Sequence, residues 1–198
     1  MQQRSEETHN RILAAAQRLF AECGYEAASV ADICAAAGVS KGAFYHHFST
    51  KHAVFLELLR NWLDRLESGL NLIRQGEQNV PQTLVDMSAM MREVLQAADK
   101  RLPMFLEFWT QSSRNPIFWQ ETIAPYQHYQ AFFTSLVKEG ISEGSLKAVD
   151  PEITARVIIS LAVGVLFQSL LDPQGADWEQ VTRQGMRYFV EGLAKEGG

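Results

Sequence analysis

The chain has 198 residues, of which 46% are hydrophobic, 21% charged and 10% aromatic; that is enough to bury a core and too apolar for a disordered polymer. The formal net charge of -5 excludes a protein that coats nucleic acid by bulk charge, but not one with a local DNA-reading face. Two cysteines, Cys23 and Cys34, exclude a disulfide framework and a four-thiolate zinc site.

The elements read as helices from end to end. Ile12, Leu13, Ala16, Leu19 and Phe20 share one face of a first helix that stops at Gly24. Ser29 caps a short second helix, Asp32 completes a capping box, and Gly38 ends it. Ser40 caps a very short third helix ending near Phe48, and Thr50 caps a fourth that fades near Gly76. Pro81 opens a fifth helix holding Leu84, Met87, Met91 and Leu95, and Pro103 a sixth with Phe105, Phe108 and Trp109. Asn115-Pro116 starts a seventh helix, which Pro125 should kink. Asp150-Pro151 starts an eighth, stopped at Asp172-Pro173, and a ninth runs from about Asp177 to Ala194.

The start, MQQRSEETHN, lacks the apolar stretch of a signal peptide. The longest apolar run, Val157 to Leu171, is shorter than the ~20 residues that span a bilayer, so a buried helix and a cytoplasmic protein with no membrane partner are expected. Residues 1–55 carry five Lys/Arg and five acids, so the rest of the chain holds the whole net negative charge. The N-terminal segment is thus the least acidic part, a hint of an anionic partner.

Residues 29–48 read SVADICAAAGVSKGAFYHHF: a short helix, a turn around Gly38 and a second short helix, which is a helix-turn-helix. Ile33, Val39 and Phe44 would lock the pair onto the first helix. Ser40, Lys41, Gly42 and Ala43 stand at the end that would enter a major groove, and Tyr45, His47 and Lys51 offer tips for phosphate oxygens. Tyr45-His46-His47 does not read as a metal site, because neighbouring helical residues point about 100° apart and no second ligand cluster is evident.

Residues 9–58, including RILAAAQRLFAECGYEAASVADICAAAGVSKGAFYHHFSTK, closely resemble the DNA-binding domain of the TetR family of transcriptional repressors. The resemblance implies an all-α fold of about nine helices, with a three-helix DNA-binding domain over residues 1–50 and an effector-binding and dimerisation domain over 51–198. It implies that Ser29 touches a phosphate, that Lys41, Gly42 and Ala43 face base edges, that Tyr45, His47 and Lys51 grip the backbone, and that His46 reaches either. Ala28, Ala31 and Ala43 stand where family members often carry Thr, Arg and Thr or Ser, which removes three polar contacts. Base readout is then expected to rest on Lys41 and His46, with Ala43 against a thymine methyl.

Residues 104–133 hold nine of the twenty aromatics, and Met87, Met90, Met91 and Met104 lie beside or among them. Rings and adaptable methionines line irregular apolar cavities. The expected effector-lining set is Trp62, Met87, Met91, Phe105, Trp109, Phe118, Tyr126 and Phe167, with Glu107 and Glu121 either favouring a cationic ligand or simply solvated. The eighth helix is apolar on every side, so a second copy is expected to cover what one chain cannot. Ala155, Ile159, Ala162, Val163, Leu166, Gly185 and Phe189 form the expected dimer interface.

The resemblance implies a homodimer that binds a palindromic double-stranded operator and is released by a small apolar or cationic effector. There is no glycine-rich phosphate loop, HExxH or GxSxG motif, and His128 has no assignable Ser or Asp partner, so no catalytic residue, metal or cofactor is expected. An adaptor that keeps the fold without reading DNA is the alternative that the three alanines leave open.

Overall fold

The computed structural model describes residues 2–76 and 78–195, and the side chains at 2, 97–105 and 117 lie outside the described set. Among the described residues there are nine helices and no strand: α1 Gln2–Cys23, α2 Val30–Ala37, α3 Lys41–His47, α4 Lys51–Arg74, α5 Val80–Ser88, α6 Met91–Ser112, α7 Pro116–Ser142, α8 Pro151–Leu171 and α9 Trp178–Leu193. They group into two compact units, residues 1–64 with 100–124, and residues 65–99 with 125–198.

The first unit folds around α1. Its apolar face (Ile12, Leu13, Ala16, Phe20) packs with Ile33 and Cys34 of α2, Phe44 of α3, Val54, Phe55 and Leu59 of α4, and Phe108 of α6. α2 is short, so its ends matter. At its start Ser29 Oγ accepts from Asp32 N, and the Asp32 carboxylate accepts from Ser29 N, both at 3.1 Å. At its end Gly38 sits in the left-handed region, φ 63°. The Arg11 guanidinium reaches over from α1, its Nε donating to Ala37 O at 3.0 Å and its Nη2 to Gly38 O at 2.8 Å. These bonds satisfy carbonyls that the helix itself cannot.

The second unit packs Leu70, Leu84, Met87, Phe132, Leu136, Val137, Leu146, Ile158, Met186 and Val190 into one core. An antiparallel bridge between Leu146 and Ala194 ties the end of α9 to the loop before α8. Asn79, Asp150 and Asp177 cap α5, α8 and α9 through their side-chain oxygens.

Two expectations need correction. α5 ends at Ser88 and α6 starts at Met91, so α6 runs straight through position 103, where a helix start was expected. No glycine or proline marks the true break. There Ser88 Oγ donates to Val85 O, and Ala89 N and Met90 N bond three residues back in a tightened last turn. Nor is α8 buried all round: its 21 residues have a window of mean hydropathy 1.8, long and apolar enough to cross a membrane, yet only 22% of that window is buried.

A Cβ at Gly38 would lie 2.9 Å from Arg11 Nη2 as well as in a left-handed conformation. Gly38→Ala is therefore expected to cost roughly 1–2 kcal/mol, read as an earlier urea midpoint at unchanged slope.

Candidate nucleic-acid interface and effector cavity

α3 presents one open face. Phe44 is buried against the first core and Ser40 Oγ caps the helix by accepting from Ala43 N at 3.1 Å. At 100° per residue Gly42 and His46 lie opposite Phe44, with Lys41 and Tyr45 between, and all four are exposed. This is a cation, a gap without side chain, a phenol and an imidazole on one exposed helix face, suited to base edges and phosphates in a major groove. Ala43 and His47 lie on the flank and are half-buried.

His47 meets His9 edge-on at 5.8 Å, and its pKa is lowered by burial first and then by His46 and His9. Its neutral form, with one ring nitrogen donating and the other accepting, is favoured. Ser29 is exposed while its hydroxyl also caps α2.

Lys51 was expected to grip phosphate, but the structure gives its ammonium internal work. Nζ donates to Tyr25 O at 2.7 Å and Glu26 O at 3.2 Å, and lies 4.4 Å from the Tyr25 ring centre. Burial lowers its pKa, partly opposed by Glu26 and Glu107. Only one of its three N–H donors is left over for DNA.

In the second unit a cavity of about 220 Å³ lies between α4, α5, α6, α7, α8 and α9. Leu66, Leu70, Leu84, Met87, Met90, Met91, Val94, Tyr129 and Phe133 form much of its wall, with Ile158, Ile159, Ala162, Leu166, Val181, Gly185 and Met186 from α8 and α9. Ser88, Thr182 and Tyr129 bring its hydroxyls, and the Ser88 and Thr182 hydroxyls donate to Val85 O and Trp178 O. Among the described residues, no charged one lines it.

The expected effector set is only partly brought together. Met87 and Met91 line this cavity. Trp62 packs on the first core, Phe118 stacks on His52 at 4.1 Å, and Trp109 is exposed, all three in the first unit. Tyr126 and Phe167 are exposed parts of the second unit, and the Phe105 side chain lies outside the described residues. Most of the expected rings do not line this cavity: Trp109 and Tyr126 are exposed, and Phe118 stacks on His52. Aliphatic residues make most of the cavity; the methionines Met87, Met90 and Met91, and Tyr129 and Phe133 of the aromatic-rich run, are the parts of it that the sequence had marked.

Glu107 is not a ligand carboxylate: it accepts from Tyr25 N and Glu26 N at 2.9 and 2.8 Å. His128 is paired with Glu67 at 3.0 Å.

The expected dimer stripe is also rotated. Ala155 has 0% exposure and belongs to its own chain's interior, and Phe189 packs on the second core. Ile159, Ala162, Leu166 and Gly185 are half-buried at the cavity, and Val163 is exposed at its edge. The open apolar positions are Val163 of the expected set, with Ile153, Val157, Phe167 and Leu171 on α8 and Val181 and Tyr188 on α9.

A capped helix-turn-helix with an open second helix, followed by a helical body with an apolar cavity, is the build of a DNA-binding transcriptional regulator. Comparison with known proteins agrees. The profile described as "Bacterial regulatory proteins, tetR family" matches residues 12–58, and "BetI-type transcriptional repressor, C-terminal" matches residues 85–194. The chain belongs to the TetR family of transcriptional regulators, which are not enzymes. It is 25% identical to the transcriptional regulator UidR of Escherichia coli K12, over 98% of this chain and 96% of that one. It is 26% identical to the transcriptional repressor KstR2 of Mycolicibacterium smegmatis, over 96% and 92%. In fold it is similar to the fatty acid degradation regulator FadR of Bacillus halodurans (TM-score 0.77, 22% identity, 93% and 95% covered). The SmeT–triclosan complex is equally similar (TM-score 0.77, 21% identity, 96% and 93% covered).

Lys41 and Lys51 are expected to separate by mutation. On a duplex selected from random sequence by the wild type, Lys41→Ala should lose about 1–3 kcal/mol and relax preference at one position per half-site, with unchanged melting temperature. Lys51→Ala should weaken all duplexes alike and also lower the melting temperature, as fluorescence anisotropy and calorimetry would show.

Proposed function

We propose that this protein is a homodimeric repressor that leaves a palindromic operator when a small, uncharged, apolar effector enters the cavity of the second unit. Residues 1–50 read DNA, and residues 51–198 bind the effector and the second copy. The cavity carries the sensing half of this reading. Its described wall is apolar with a few hydroxyls, and a cation placed there would meet no carboxylate among the described residues and would lose its water. This favours the apolar over the cationic effector. Binding changes DNA affinity only in so far as the effector prefers the non-reading arrangement.

The open stripe on α8 and α9 supports the dimer. Ile153, Val157, Phe167 and Leu171 follow one side of α8, and a Cβ added at Gly164 or Gly192 would meet nothing within 4 Å. Smooth, apolar helix faces of this kind are covered by their own copy in a two-fold four-helix arrangement. The opposite face of α8 is already packed inside its own chain through Thr154, Ala155, Ile158 and Val165. Lipid would need the whole circumference, so a second copy and a cytoplasmic, membrane-free protein fit better. A two-fold dimer reads a two-fold site, hence the palindrome.

Two measurements test this. Light scattering at about 10 μM should give a dimer for the wild type and a monomer or insoluble protein for Phe167→Arg; a monodisperse wild-type monomer would overturn the dimer. Calorimetric titration with triclosan as an apolar probe should show binding that Met87→Trp, which fills the cavity, weakens by about tenfold or more. Binding of a quaternary ammonium probe of similar size in place of triclosan would overturn the ligand class.

A further inference from the structure

The turn between α1 and α2 is held in a way that the DNA-reading role alone does not require. Its residues Tyr25 and Glu26 have two backbone N–H groups and two carbonyls. Both N–H groups donate to one carboxylate, Glu107 of α6, at 2.9 and 2.8 Å. Both carbonyls accept from one ammonium, Lys51 of α4, at 2.7 and 3.2 Å. Two side chains of opposite charge therefore satisfy all four polar groups of the turn, each aligned with the peptide dipoles it meets.

Gly24 opens the approach. It has φ 86°, and a Cβ there would stand 2.9 Å from Glu107 Oε2. The next residue on α6, Phe108, is fully buried among the same elements, its ring stacked on Phe55 at 3.9 Å and edge-on to Tyr25 at 5.2 Å. Phe108 supplies adhesion, which tolerates sliding. Glu107 supplies direction, because a carboxylate holding two adjacent N–H groups fixes position and angle together. α6 also carries Met91 and Val94 of the cavity wall.

We propose that Glu107 is a positioning residue for DNA reading: a clamp from α6 that sets the α1–α2 turn, and with it the angle of α2 and α3. The proposal rests on α3 being that face. It does not depend on the identity of the effector.

The test uses the full chain as wild type, Glu107→Ala, Glu107→Gln and Glu107→Asp, with a duplex selected from random sequence by the wild type. Amide exchange at Tyr25 and Glu26 should speed up by about tenfold or more in Glu107→Ala. Its duplex affinity should fall about fivefold or more, with Glu107→Gln, which keeps one acceptor oxygen, in between. Glu107→Asp keeps the charge but cannot reach both N–H groups, and should behave like Ala.

A readout beyond stability is the response of α6. Exchange over residues 106–112 should slow when the wild type binds the duplex, and should not change when Glu107→Ala is saturated with it. Wild-type affinity and exchange in Glu107→Ala, or a retained α6 response in it, would overturn the clamp. Full rescue by Glu107→Asp would do so too, since charge rather than contact would then be the cause. If Glu107→Ala does not fold, the Gln and Asp variants decide by the same readings. A wild type that selects no duplex would overturn the assignment of α3, and exchange at Tyr25 and Glu26 would still decide the clamp.

Discussion

Phe108 comes from the middle of the chain and lies in a core otherwise made by the first sixty residues. Its ring has no exposed surface and touches Phe55, Tyr25 and His52 at centroid distances of 3.9, 5.2 and 4.8 Å. Aromatic pairs of this kind add about 0.5–1.5 kcal/mol each beyond the area they bury. A three-helix reading head of this size has little core of its own. Borrowing a ring from α6 stabilises the head and makes that part of α6 cooperative with it.

The same packing leaves His52 in a tight position. Its ring is sandwiched between Phe108 and Phe118, it is almost wholly buried, and burial holds its pKa below the usual histidine range against a weaker opposing effect of Glu121. A neutral imidazole acts here as a flat filler between two rings. Several charge-bearing groups around the head are likewise spent on holding the fold: Arg11 on the end of α2, Lys51 and Glu107 on the turn before it, and His9 on Glu57 at 2.9 Å.

α8 shows why composition misleads when it is read one helix at a time. Its residues are apolar on every side because its sides meet different things. Ala155, Ile158 and Val165 are buried in the chain, Ile159, Ala162 and Leu166 border the cavity, and Ile153, Val157, Phe167 and Leu171 face outward. Such a helix has almost no amphipathic signal, so its rotation cannot be read from periodicity. That is the reason the expected interface was rotated onto the cavity side, and the reason Phe167 was placed in the effector set.

What the sequence determined by itself was local. The N-caps at Ser29, Ser40, Asp150 and Asp177, the left-handed Gly38 and the apolar face of α1 act over a few residues, and they fixed the helix-turn-helix, its open face and most helix ends. Tertiary structure decided everything that depends on which side chains meet across the fold. It turned Glu107 from a candidate ligand group into a partner of two backbone amides eighty residues away, and took two of the three donors of Lys51 for the same turn. It ended α5 at a serine where no breaker stands, and built the cavity from aliphatic residues of six helices. Each of these rests on distance in space, which the order of residues along a chain encodes only through packing of the whole.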